Sequence, residues 1–178
     1  DLEAGRDLGP GETGEIVMHG PQIFEGYWNN PEATEAAFTT IDGKRFLRTG
    51  DIGHFDRDGY FYMTDRVKRM INASGYKVWP AEVEALMHHH PDIAEACVIG
   101  APDPRRGETV KAYVVLRTGA GEIGEDAIIS WCHDHMAAYK CPRQIVFVDN
   151  LPKTGSGKVQ WRDLADAERQ SAAARTGT

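Results

Sequence analysis

The sequence predicts an α+β fold, in which a β-rich segment is followed by a small mixed α/β domain with a three-stranded sheet and helices. Three observations predict it. Up to residue 65, short β-favouring runs are separated by turn clusters of Gly, Pro, Asn and Asp. From Pro80 onward, helical and strand patterns alternate, as a layered α/β domain requires. Between the two lies RVKRMINASGYKVWPAEVE, Arg66 to Glu84, which reads as a joint that also handles phosphate.

Taken in order, residues 1–13 are a loop rich in Gly, Asp and Glu. Glu15 to His19 reads as a strand that Gly20-Pro21 ends. Asn30-Pro31-Glu32 opens a short helix ending near Phe38, with Asn30 as its cap and Pro31 at the first helical position. Phe46-Leu47-Arg48 and Phe61-Tyr62-Met63 read as strands joined through the turn Asp56 to Gly59. These strands have little apolar core of their own, so residues 1–65 look like the tail of something larger.

A helix starts at Pro80, with Val83, Leu86 and Met87 on one face, and Pro91 ends it. Ala94 to Ile99 and Val110 to Leu116 are strands, and Gly119 to Gly124 is a loop. A second helix runs from Glu125 to Ala138 and buries Ile128, Trp131, Cys132, His135 and Met136. Ile145 to Val148 is the third strand, and a last helix runs from Trp161 to about Ala173.

Composition excludes several classes. At 178 residues, with 41% hydrophobic and 26% charged residues, this is the make-up of a globular domain. A net charge of −7 disfavours a nucleic-acid partner. No apolar run nears the ~20 residues needed to span a bilayer. Cys97, Cys132 and Cys141 form no CxxC pair and read as reduced core thiols. His88, His89 and His90 point about 100° apart on a helix, so no metal site is assigned there. The acidic start, Asp1-Leu2-Glu3, resembles no signal segment. Cytoplasmic location is expected, with peripheral membrane attachment left open.

Four motifs carry the chemistry: GETGEIVMHGPQIFEGYWNNPEAT, FLRTGD, DGYFYMTDRVKRMINASGYKVWPAEVE and YKCPRQIVFVDNLPKTGSGK. PKTGSGK is not a phosphate-binding P-loop. Pro152 stands where that loop needs its first Gly, and Val159 follows the lysine in place of Ser or Thr. In this order the motifs resemble the C-terminal part of the adenylate-forming acyl-CoA synthetase superfamily, of the fatty-acid–CoA ligase type. The resemblance implies that residues 1–66 end a large AMP-binding domain and residues 67–178 form the small C-terminal domain, with a hinge near Lys68.

The resemblance also implies the roles. Lys158 is the adenylation lysine, an ammonium that stabilises charge building on the α-phosphorus. Asp51 accepts hydrogen bonds from the ribose hydroxyls of ATP, and Arg66 contacts the nucleotide. An ordinary ion pair of Arg66 with Asp65 or Asp58 is the plainer alternative. Gly75 lines the passage for the pantetheine arm of CoA. Lys77 is placed to reach the CoA phosphates or, equally, to be a solvated lysine. Arg69 departs from the acidic residue commoner after the hinge.

The implied activity is a long- or medium-chain acid–thiol ligase forming AMP. It uses ATP with Mg2+, held mainly by the large N-terminal domain, and CoA, alternating two orientations of the small domain. The partners implied are a fatty acid, the N-terminal domain of the same protein, and a lysine acetyltransferase or deacetylase acting on Lys158. The fragment alone is expected to be inactive. Two rivals are an adenylation unit that loads a carrier protein and a non-catalytic interaction module that keeps the fold.

Overall fold

The structure is a computed structural model that describes residues 5–176. The chain forms two compact units, divided between Lys68 and Arg69. Among the described residues, no helix is long and apolar enough to cross a membrane.

The first unit is a four-stranded antiparallel sheet. Its centre is β3 (Lys44–Phe55), which pairs with β1 (Gly14–Met18), β2 (Phe38–Ile41) and β4 (Phe61–Arg66). The β3–β4 link is the expected turn. Asp56 accepts the amides of Asp58 and Tyr60 at 3.0 Å each, and Gly59 takes φ +86°. Helix α1 (Pro31–Ala36) starts as its sequence dictates, with the Asn30 side chain accepting the Ala33 N–H at 3.0 Å. Ile52 is the only buried hydrophobic side chain described in this unit, while Trp28, Phe61, Tyr62 and Met63 are exposed.

The second unit is a three-layer α/β/α domain. Its sheet has five strands, not the three expected. β7 (Ile93–Asp103), β8 (Gly107–Leu116) and β9 (Gln144–Phe147) are the three read from sequence. The addition is the hairpin of β5 (Ile71–Ala73) and β6 (Tyr76–Val78), giving the order β6-β5-β8-β7 with β9 parallel to β8. Strands this short are below the length at which periodicity speaks.

Both faces of β7 and β8 are covered, so most side chains along their middles are apolar. Ala96, Val98, Val110, Ala112 and Val114 face α2 (Pro80–Met87) and α3 (Glu125–His135). Cys97 and Ile99 face α4 (Trp161–Thr176) together with Leu151 and Ala165. Each buried aliphatic contributes about 1.5–3 kcal/mol, so this core holds the domain. Lys111 and Tyr113 also lie on the α4 side, where Glu168 takes the Lys111 ammonium at 2.6 Å and the Tyr113 hydroxyl at 3.2 Å.

Helix α3 corrects one expectation. Ile128 and Cys132 are buried, but His135 is exposed. Its ring stacks on Trp131 at 3.9 Å and its Nδ1 lies 2.7 Å from the Trp131 carbonyl. The helix stops at His135, so that position is at the rim. The three cysteines are free and buried. Burial pushes the Cys97 and Cys132 thiols up to about 12 and raises that of Cys141.

Candidate functional site

In the first unit, β3 and β4 bring two expected residues together. Asp51 and Arg66 are direct cross-strand partners, and Arg66 Nε lies 2.9 Å from Asp51 Oδ1. The Arg66 partner is therefore Asp51, not Asp65 or Asp58; Asp65 accepts the Arg66 backbone N–H at 2.7 Å. Asp51 lies inside a twelve-residue strand, beside an irregularity at Ile52/Gly53. Gly50 takes φ +71° and gives its N–H to Glu15, and the Thr49 hydroxyl accepts the Asp51 N–H. This local distortion re-aims the strand at Asp51, as irregularities do near sites. The pair is partly open to solvent, with Asp51 25% and Arg66 68% exposed.

Lys68 is exposed within the 3-10 turn Val67–Arg69, which straddles the division between the units.

In the second unit, Gly75 occupies the tip of the β5–β6 hairpin. Ser74 and Gly75 have φ +56° and +86°, the two left-handed positions of a tight hairpin turn. Asn72 Oδ1 accepts the Gly75 N–H at 3.0 Å, and the Arg106 carbonyl accepts the Ser74 N–H at 3.2 Å. A Cβ on Gly75 would meet nothing within 4 Å. Backbone conformation alone thus requires glycine here, and the tip faces outward. Lys77 is partly buried on β6, opposite Asn72.

Beside this tip lies a cavity of about 190 Å³ that sequence reasoning missed. Tyr76 and Tyr139 stack on each other in its wall, ring centres 4.9 Å apart, and Arg106 and Arg143 line it. Thr109 is 3% exposed, and its hydroxyl makes no hydrogen bond among the described residues. A paired aromatic wall, two guanidinium groups and one unspent hydroxyl suit a polyanionic ligand with a planar ring. These residues come from three separate stretches; Tyr76 stands in the third motif and Tyr139 and Arg143 in the fourth, but Arg106 and Thr109 stand in none. Next to Tyr139, Lys140 is bonded to Glu82. Burial opposes its charge, but that partner outweighs burial and holds the ammonium above its usual range.

Lys158 is exposed on a closed finger, not on a loose glycine loop. Lys153 and Val159 form a bridge, and the Thr154 and Gly157 N–H groups bond to the Lys158 and Thr154 carbonyls. The Thr154 hydroxyl accepts the Lys158 N–H at 3.2 Å and lies 3.0 Å from that of Ser156. Only Gly157 needs a left-handed conformation, at φ +81°. At the finger's base, Lys153 is ion-paired with Glu95 of β7 at 2.7 Å.

The sheet register separates the finger from the Gly75 tip. Glu95 pairs with Val115, whereas Ala73 pairs with Gly107. Those anchors are eight residue steps apart along β8, roughly 26 Å at the rise of a strand. One small domain thus presents its ammonium at one end of a ribbon and its glycine turn at the other.

Comparison with known proteins fits this geometry. The family described as the AMP-binding enzyme C-terminal domain matches residues 82–158. Residues 82–158 belong to that family. The long-chain-fatty-acid–CoA ligase of Bacillus subtilis (strain 168) is 44% identical over 169 residues, covering 95% of this chain and 29% of the relative. An oxalate–CoA ligase of Arabidopsis thaliana is 40% identical over 163 residues, covering 92% of this chain and 31% of the relative. The solved structure of ATP-bound MatB from Rhodopseudomonas palustris superposes with a TM-score of 0.83 at 36% identity, covering 93% of this chain and 32% of that one. The chain spans about a third of the length of these relatives.

Among the described residues, no group of three His, Cys, Asp or Glu side chains converges as a divalent cation requires. The described residues thus offer no such cluster to Mg2+.

Proposed function

We propose that this chain is the C-terminal portion of an ATP-dependent CoA ligase. It supplies Lys158 to carboxylate adenylation and then the Gly75 face to thioester formation. The observation that supports this best is the placement of the Lys158 finger and the Gly75 turn at opposite ends of β7 and β8. Two half-reactions need two surfaces, and a domain pivoting near Lys68 can present them in turn. In this reading residues 1–66 close the large domain and residues 67–178 are the mobile one.

Each residue then has a physical task. The Asp51 carboxylate takes the ribose diol, and Arg66, held beside it by the cross-strand pairing, steers the phosphates. The Lys158 ammonium stabilises charge as the substrate carboxylate attacks the α-phosphorus and pyrophosphate leaves. After the pivot, the bare Gly75 turn passes the pantetheine arm. Arg106, Arg143 and the Tyr76/Tyr139 wall take the nucleotide end of CoA. The thiolate attacks the adenylate carbonyl, and AMP leaves with the bonding electrons. Lys77, which follows Tyr76 on β6, would share the phosphate charge. We assign a fatty acid as the carboxylate, on the motif match and the similarity to the Bacillus ligase. Acetylation of the exposed Lys158 would remove its charge and switch off the first half-reaction.

The test is Lys158→Ala in the full-length protein. ATP–pyrophosphate exchange should fall ~10²–10³-fold, as for loss of an oxyanion donor. Transfer from preformed acyl-adenylate to CoA should persist. Undiminished exchange would leave only the non-catalytic module standing, and transfer to a carrier protein in preference to CoA would favour the loading unit.

A further inference from the structure

The linker between the units ends in a side chain whose contacts reach three elements of the second unit. Arg69 is the first residue of that unit and the last of the 3-10 turn. Its Nη2 lies 2.5 Å from Glu84 Oε1 on α2 and 3.5 Å from the Val98 carbonyl on β7. The same Glu84 oxygen accepts the Val98 N–H at 2.8 Å. The guanidinium carbon lies 5.7 Å from the centre of the Trp161 ring, at the start of α4. The Arg69 and Glu84 side chains are only 16% and 17% exposed.

Trp161 matters because of what precedes it. The Lys158 finger closes at Val159, and the Gln160 N–H bonds back to the Pro152 carbonyl. Trp161 follows at once and packs into the core with Cys97, Ile99 and Leu151. Arg69 therefore ties the end of the linker to the root of the finger within a single side chain's reach.

Resting on the reading of Lys158 as the adenylation group, we propose that Arg69 is a positioning residue for adenylation. Clamped by Glu84, Val98 and Trp161, it ends the pivot at Lys68 and makes the linker end and the Lys158 finger turn as one body. An arginine is needed because its planar fork can meet a carboxylate, a carbonyl and a ring together, which an ammonium cannot. The Gly75 tip is tied elsewhere, through Asn72, Glu108 and Arg106, so it does not depend on this clamp.

The experiment compares Arg69→Ala, Arg69→Lys, Glu84→Gln and Lys158→Ala in the full-length protein. Misplacing the ammonium should slow ATP–pyrophosphate exchange ~10- to ~100-fold in Arg69→Ala and less in Glu84→Gln. Transfer from preformed acyl-adenylate should stay within about twofold. Arg69→Lys keeps the charge and a folded domain, yet should show the same split. Amide hydrogen exchange, read independently of activity, should speed up jointly at residues 69–71 and 153–161 while remaining unchanged at 72–76. If Lys158→Ala abolishes exchange but all three clamp variants match wild type, the clamp is wrong and the reading survives. If Lys158→Ala has no effect, the reading fails. Hydrogen exchange that loosens at residues 69–71 without residues 153–161, or everywhere alike, overturns the mechanical link itself.

Discussion

Glu168 is where the structure makes its sharpest claim about stability. Its carboxylate lies under the sheet, 8% exposed, and receives both the Lys111 ammonium and the Tyr113 hydroxyl. Replacing Glu168 with Leu keeps most of the volume but leaves the Lys111 charge buried without this counter-ion. Breaking a pair buried this deeply costs about 3–5 kcal/mol. For a domain of this size, that corresponds to a fall in Tm of roughly 10–20 °C. Replacing both partners, Lys111→Met with Glu168→Leu, removes the charges together and should return most of the loss, because a buried pair is a poor source of net stability. Urea unfolding of the 178-residue chain, followed by tryptophan fluorescence, compares both variants with wild type. A loss under ~1 kcal/mol for Glu168→Leu would mean that Lys111 reaches water, and the account of α4 as a sealed lid on this face would be wrong.

Other outcomes follow from the same coordinates. Cys97, Cys132 and Tyr113 are all held near 12, by burial first and, for Tyr113, by Glu168 next. At pH 8 the thiolate fraction of Cys97 and Cys132 is ~10⁻⁴, so iodoacetamide should label neither until the domain unfolds. These groups bind their protons more tightly folded than unfolded. Their contribution is complete below about pH 9 and should decline from there towards 12, visible as a falling urea midpoint. Asp51→Asn should change stability by less than ~1 kcal/mol, since the pair with Arg66 is partly exposed. In the full-length protein it should raise the KM for ATP ~10- to ~100-fold through lost charge-assisted hydrogen bonds. An unchanged KM would remove Asp51 from the nucleotide site. Gly75→Ala should cost about 1–2 kcal/mol from its left-handed backbone, and Gly75→Asn less. Equal, negligible losses would show that the hairpin turn had changed type.

Much of the second unit was legible because its signals are long. β7, β8 and the helices from Pro80, Glu125 and Trp161 announce themselves by period, Pro and Gly. The hairpin around Ser74-Gly75 was not read as one, though its dipeptide is a turn signal, because its strands are only three residues long. In the first unit, Gly50 and Gly53 hid the length of β3, of which only Phe46 to Arg48 reads as strand. The motif residues Asp51, Arg66, Lys68, Gly75 and Lys158 could be listed from sequence, but what surrounds them could not. That Arg66 holds Asp51, or that a threonine hydroxyl braces Lys158, depends on register and turn geometry that no spacing reveals. Arg106, Thr109 and Tyr139 come from distant segments and only the folded sheet gathers them.

The distance along β8 between the finger and the glycine turn has a practical use. A nanobody that caps the Glu95 end would silence the lysine without touching the opposite tip, and one raised against the tip would do the reverse. Under the proposed function, two such reagents would halt the reaction on either side of the adenylate, with the activated acid in hand or before it is made.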